Sequence, residues 1–94
     1  MPYPGLGERF DRDARSVWIN IDPSYFDNAS IGTLYDTYLR QLEHAAAVGF
    51  DGICVNEHHQ SAYGMVPSPN LMAAALARST QRSAIVVMGN SIAL

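Results

Sequence analysis

The chain has 94 residues, of which 48% are apolar and 16% are charged, and its formal net charge is -3 at pH 7. The apolar fraction is sufficient for one small domain with a core, and the acidic balance argues against nucleic acid or an anionic membrane as a partner. No apolar run approaches the roughly 20 residues of a transmembrane helix, and Met1-Pro2-Tyr3-Pro4-Gly5 lacks a secretory signal pattern. These features predict a soluble, cytoplasmic protein.

The first part of the chain has the composition of loops and turns. One short extended segment is predicted from Ser16 to Ile21, and it ends at Asp22-Pro23. The stretch from Asp27 to Gly32 is again typical of a turn. We therefore expect the first helix to begin after Gly32.

The first predicted helix begins at Thr33, where Thr33-Leu34-Tyr35-Asp36 resembles a capping box with Asp in place of the usual Glu. Apolar residues then recur at helical spacing, at Tyr35, Leu39, Leu42 and Ala46. Gly49 is the expected glycine cap at the end of this helix.

Two apolar runs after this helix predict strands. They are Ile53 to Val55 and Ala84 to Met88, separated by a helix that starts with Ser68 as N-cap and Pro69 at the first helical position. A separation of about thirty residues is typical of one β-α-β unit and predicts a parallel sheet. Because both strands are too apolar to have a solvent-exposed face, we expect both faces of the sheet to be covered by other elements. Cys54, the single cysteine, is then expected to be a buried thiol without a disulfide partner.

Polar residues follow the first strand directly, as Asn56-Glu57-His58-His59-Gln60. Parallel α/β proteins carry their chemistry at the carboxyl ends of strands, and an imidazole can donate or accept a proton near neutral pH. Neighbouring residues in an extended chain point to opposite sides, so His58 and His59 are not expected to act on the same atom, and they make a poor metal chelate. Glu57 either orients His58 or forms an ion pair. Asn90 follows the second strand as a further candidate.

The residues around these motifs form a longer series: Gly49-Phe50-Asp51-Gly52, Asn56-Glu57-His58-His59-Gln60, Tyr63-Gly64, Pro67-Ser68-Pro69-Asn70, Ala73-Ala74-Ala75 and Gly89-Asn90. From about Thr33 to Leu94 this series resembles the N-terminal third of the bacterial-luciferase-like, flavin-dependent monooxygenases. The Glu-His-His element followed by a Pro-Asn helix start is fairly specific to that family.

The resemblance implies an α/β fold, namely a partial (β/α)8 TIM barrel with only the N-terminal βα units. Residues 1–32 would be an extended βα loop and residues 33–94 an α-β-α-β unit. Since the family's first strand and later units have no counterpart here, the chain is predicted to be a fragment. We expect the fragment to be inactive alone, because it cannot exclude water from a reactive peroxide.

The resemblance also implies the reaction, which is oxidation of a small organic substrate by O2 with reduced FMN, or a deazaflavin in some relatives. A separate flavin reductase would supply the reduced cofactor, and the full-length protein would be a homodimer in the manner of many relatives.

The site residues implied by the resemblance are His58 as the catalytic acid or base, with Glu57 beside it. Asn56, Gly89 and Asn90 would contact the cofactor, with a cis peptide bond at Met88-Gly89. Tyr63 and Met65, on the loop after the first strand, are candidates for a substrate pocket.

Two other functions are compatible with the pattern. A fragment of a metal-dependent TIM-barrel hydrolase would have the same strand-end geometry, with metal ligands on later strands. A non-catalytic, truncated remnant would instead depend on self-association or a larger assembly, because exposed sheet edges favour aggregation.

Overall fold

The computed structural model describes residues 27–59, 64 and 66–91. Four elements follow in chain order: helix α1 (Asn28–Ala47), strand β1 (Gly52–Asn56), helix α2 (Pro69–Ser79) and strand β2 (Ala84–Met88). The two strands pair in parallel, with Gly52 opposite Ala84 and Asn56 opposite Met88. The predicted β-α-β unit with parallel pairing is therefore confirmed. No helix in the described part of the chain is long and apolar enough to cross a membrane.

Helix α1 begins at Asn28, so the predicted start at Thr33 is wrong. The Asp27 carboxylate accepts the backbone N–H of Ala29 at 3.0 Å and caps the helix. Because a carboxylate at this position also interacts favourably with the helix dipole, Asp27 is a stronger cap than Thr33. Thr33 lies inside the helix, where its carbonyl accepts the Thr37 hydroxyl at 2.9 Å.

The end of α1 has the glycine that the sequence predicted. Gly49 has a φ of 102°, its N–H donates to the carbonyl of Ala46 at 3.2 Å, and the N–H of Phe50 donates to the carbonyl of Ala45 at 3.2 Å. This pair of bonds is a Schellman motif, which satisfies carbonyls that the helix end would otherwise leave unpaired. The motif turns the chain directly into β1.

The core lies between the helices and one face of the sheet. Its buried side chains are Tyr38, Ile53, Val55, Val66, Met72 and Leu76. Ile85 and Val87 on β2 are partly buried against the same cluster. Since alternate residues of a strand share a face, this pattern fixes which side of each strand meets the helices.

The opposite face of the sheet is open in the described structure. Val86 is 45% exposed, Met88 is 60% exposed, and Cys54, which lies opposite Val86 in the sheet, is also exposed. The predictions of a sheet covered on both faces and of a buried Cys54 are therefore wrong. Both helices pack on the face of the sheet that carries Ile53 and Val55. Apolar residues on both sides of the strands therefore did not mean that both faces are covered.

The predicted partial (β/α)8 barrel is also wrong. The structure is a small α/β domain with two helices and a two-stranded parallel sheet in its described part. The spacing that predicted parallel strands is common to every β-α-β arrangement, because one right-handed crossover has the same length in open sheets and in barrels. Spacing therefore predicts the pairing of two strands but carries no information on how many strands the sheet has or whether it closes.

Candidate functional site at the carboxyl ends of the strands

The parallel strands place two polar segments beside each other at one edge of the sheet. Asn56 ends β1 opposite Met88, which ends β2. The residues that follow the two strands, together with Asn70 in the first turn of α2, form what we call the strand-end cluster: Asn56, Glu57, His58, His59, Asn70, Gly89, Asn90 and Ser91.

Glu57 joins the segments that follow the two strands. Its Oε2 accepts the backbone N–H of Ser91 at 2.8 Å, and its Oε1 lies 2.6 Å from Nε2 of His59. The Glu57 side chain is 8% exposed, whereas that of His59 is 42% exposed. The sequence left open whether Glu57 orients His58 or forms a buried ion pair; in the structure its carboxylate is hydrogen-bonded to the imidazole of His59.

The same contacts lower the pKa of Glu57. The hydrogen bond from His59 has the largest effect, and the hydrogen bond from the Ser91 N–H also lowers the pKa, while desolvation opposes both. These bonds favour the charged carboxylate, so the cluster contains an anion at neutral pH.

We predict that Glu57 makes the fold sensitive to acid. Because its folded-state pKa lies below the ordinary value of 4.5, its contribution to stability is present above that value and is lost as the pH falls through the lowered pKa. Denaturant unfolding from about pH 7 to about pH 3 should therefore show a steeper loss for the wild type than for Glu57→Gln. Asp27, whose pKa is also lowered, titrates in both proteins and cancels in the comparison. Parallel pH profiles would contradict the assignment.

His58 is held by a different partner. Its Nε2 lies 3.2 Å from Nδ2 of Asn56, and its backbone N–H donates to the carbonyl of Val66 at 2.9 Å. With Nδ2 of Asn56 as the donor, Nε2 of His58 is the acceptor, which corresponds to a neutral imidazole with its proton on Nδ1. This contact is separate from the one between His59 and Glu57.

The segment after β2 reaches the cluster through Gly89 and Asn90. Asn70 Nδ2 donates to Asn90 Oδ1 at 3.0 Å, which connects the first turn of α2 to this segment. Gly89 has a φ of 77°, and a Cβ added there would lie 3.7 Å from Cβ of Glu57, its one contact within 4 Å among the described residues. The predicted cis peptide at Met88-Gly89 is wrong, because the described peptide bonds are all trans and the chain turns through the positive φ of Gly89.

The proposed substrate-pocket residues Tyr63 and Met65 lie outside the described residues, as does Gln60. Ser91 and Gly64 contribute to the site but were not predicted. Ser91 participates through its backbone N–H, for which the sequence has no signal, and Gly64 through the absence of a side chain.

A small cavity of about 30 Å³ lies beneath the cluster, between α1, α2 and the end of β1. Tyr38, Val66 and Met72 are among its lining residues. Its volume is comparable with the space of one water molecule, far below the several hundred Å³ of a typical ligand pocket.

No group of three or more His, Cys, Asp or Glu side chains is arranged to hold a metal ion within residues 27–59, 64 and 66–91.

The sequence matches no family model, and comparisons with curated proteins and with solved structures find no match.

Proposed function

We propose that the chain takes part in the flavin-dependent oxidation of a small organic molecule by O2, and that the strand-end cluster contacts the reduced flavin. The observation that carries this proposal is the convergence of Asn56, His58, Gly89 and Asn90 on one exposed edge of a parallel sheet. The residue series that resembles the luciferase-like monooxygenases supports the choice of a flavin. A separate reductase as the source of reduced flavin belongs to the same proposal.

The cluster fits the polar edge of an isoalloxazine ring. That edge presents alternating N–H and C=O groups, and the amides of Asn56 and Asn90 offer both donors and acceptors. Gly89 leaves the backbone accessible, since only Glu57 lies within 4 Å of the position that a side chain would take. When bound, reduced flavin would supply the electrons for the reduction of O2.

The protein groups would position a ligand and move protons. The contact between Asn56 and Nε2 orients the His58 imidazole, which can donate or accept a proton near neutral pH. Glu57 fixes the distance between the two segments through Ser91 and does not touch His58 in the described contacts.

The phosphate of FMN would have no cationic partner in this cluster. The strand-end cluster contains no Arg or Lys, and Arg78 and Arg82 lie at the other end of α2 and in the turn before β2. We therefore expect riboflavin and FMN to bind with similar affinity, and a reduced deazaflavin to be accepted if position 5 of the ring is not contacted.

The experiment is an anaerobic titration of the chain with reduced FMN and reduced riboflavin. The His58→Ala variant should bind about tenfold more weakly, corresponding to the loss of one ligand hydrogen bond worth about 1.4 kcal/mol. His44→Ala, which removes an exposed imidazole in the last turn of α1, is the matched control and should bind as the wild type does. Equal affinities for the two variants would exclude His58 from the site. Binding is the readout because it reports on the cluster without requiring the identity of the organic substrate.

A further inference from the structure

Gly64 lies directly against the imidazole of His58. A Cβ atom built on Gly64 would be 2.7 Å from Cγ and 2.9 Å from Cβ of His58, and still closer to Cδ2. Real Cβ atoms do not approach other heavy atoms so closely, so any side chain at this position would displace the ring. Gly64 itself is buried.

The glycine is needed here for space and not for backbone conformation. The described glycines with positive φ are Gly49 and Gly89, and Gly64 is not one of them. An L-residue could therefore adopt the backbone of Gly64 without the strain that a left-handed conformation causes. The nearest atoms that an added Cβ would meet all belong to His58.

We infer that Gly64 is a positioning residue for His58. The backbone N–H of His58 is anchored to Val66, which lies two residues beyond Gly64 in the same segment, and Nε2 meets Asn56 at 3.2 Å. The backbone of Gly64, which has no side chain, packs against the His58 ring between these two hydrogen bonds and keeps the ring within reach of the Asn56 side-chain amide. A methyl group at position 64 would push the ring away and break the Asn56 contact, releasing the imidazole from its single tautomer.

The positioning of His58 by Gly64 does not depend on a ligand, whereas its importance for an oxidation reaction rests on the proposed function. The positioning is tested by observing the His58 ring in the free protein, and the flavin site is tested by measuring flavin affinity on the same variants. The spectroscopic measurement decides the inference, and the affinity decides whether the ring belongs to a flavin site.

The test is the Gly64→Ala variant, with the imidazole nitrogens of His58 observed by nitrogen-resolved NMR at one fixed, mildly alkaline pH. We expect the wild type to show one dominant tautomer, and Gly64→Ala to show a mixture of tautomers. Gly52→Ala is the matched control, because its Cβ would meet only ordinary contacts, at 3.6 Å from the carbonyl oxygen of Ala84. It should leave the His58 signals unchanged.

A double variant keeps the inference testable if Gly64→Ala folds poorly. His58→Gly removes both the ring and the Cβ atom that the new methyl group would strike, so His58→Gly/Gly64→Ala should have the same unfolding midpoint as His58→Gly alone. Wild-type His58 signals in Gly64→Ala, or an equal loss from Gly64→Ala with and without the ring, would overturn the inference. If the signals change but flavin affinity does not, the inference stands and the proposed function fails.

Discussion

Replacing Leu76 by alanine is expected to lower the free energy of unfolding by about 2–5 kcal/mol. Leu76 has 0% exposure and is the largest fully buried side chain of the described residues. It belongs to the cluster in which both helices meet the Ile53 and Val55 face of the sheet. Small domains have only about 5–15 kcal/mol of stability, so this single change should remove much of it. Denaturant unfolding followed by far-ultraviolet circular dichroism measures the loss.

Leu71 provides the matched control on the same helix. It is 73% exposed, so Leu71→Ala makes the same chemical change without creating a cavity and should alter stability by no more than about 0.5 kcal/mol. Similar losses for the two variants would mean that α2 does not present the Leu76 face to the sheet.

Replacing Gly49 by alanine should cost about 1–2 kcal/mol, because its φ of 102° lies in a region that L-residues disfavour. The hydrogen bonds of the Schellman motif depend on that conformation, and they direct the chain from α1 into β1. A side chain at position 49 would meet no atom within 4 Å, so the cost comes from backbone strain alone. Thermal unfolding compared with the wild type measures it.

Gly32 tests the same substitution with the opposite expected sign. It lies in the interior of α1, its added Cβ would also meet nothing within 4 Å, and its φ is not positive. Gly32→Ala should therefore raise stability by about 0.5–1 kcal/mol through helix propensity. A change of the same sign at both positions would contradict the described end of α1.

Local signals in the sequence predicted much of the secondary structure. Pro69 at the first helical position marked the start of α2, the apolar run from Ala84 to Met88 marked β2, and Gly49 marked the end of α1. Each of these features depends on residues close together in the chain. The start of α1 was predicted wrongly because Asp27 and Thr33 are both favourable N-cap residues. The apolar spacing that follows Thr33 did not show that the helix begins more than one turn earlier.

Features that depend on distant residues were not predicted. The apolar strands fit a sheet covered on one face as well as on two, so the exposure of Cys54 and the absence of a barrel became known only from the structure. The location of the candidate site followed from parallel strands, whose carboxyl ends meet. The contacts within the site could not be predicted in this way, because the contacts of Glu57 with Ser91 and of His58 with Gly64 depend on the conformation of the loops.

The central claim is that the strand-end cluster binds reduced flavin, and the most direct test is to map the binding on the isotope-labelled chain. Reduced FMN would be added without oxygen while the backbone amide signals are recorded. We expect saturable shifts concentrated at Asn56, Glu57, His58, Gly89 and Asn90. Shifts centred on the open sheet face at Cys54 and Val86, or the absence of any saturable shift, would contradict it.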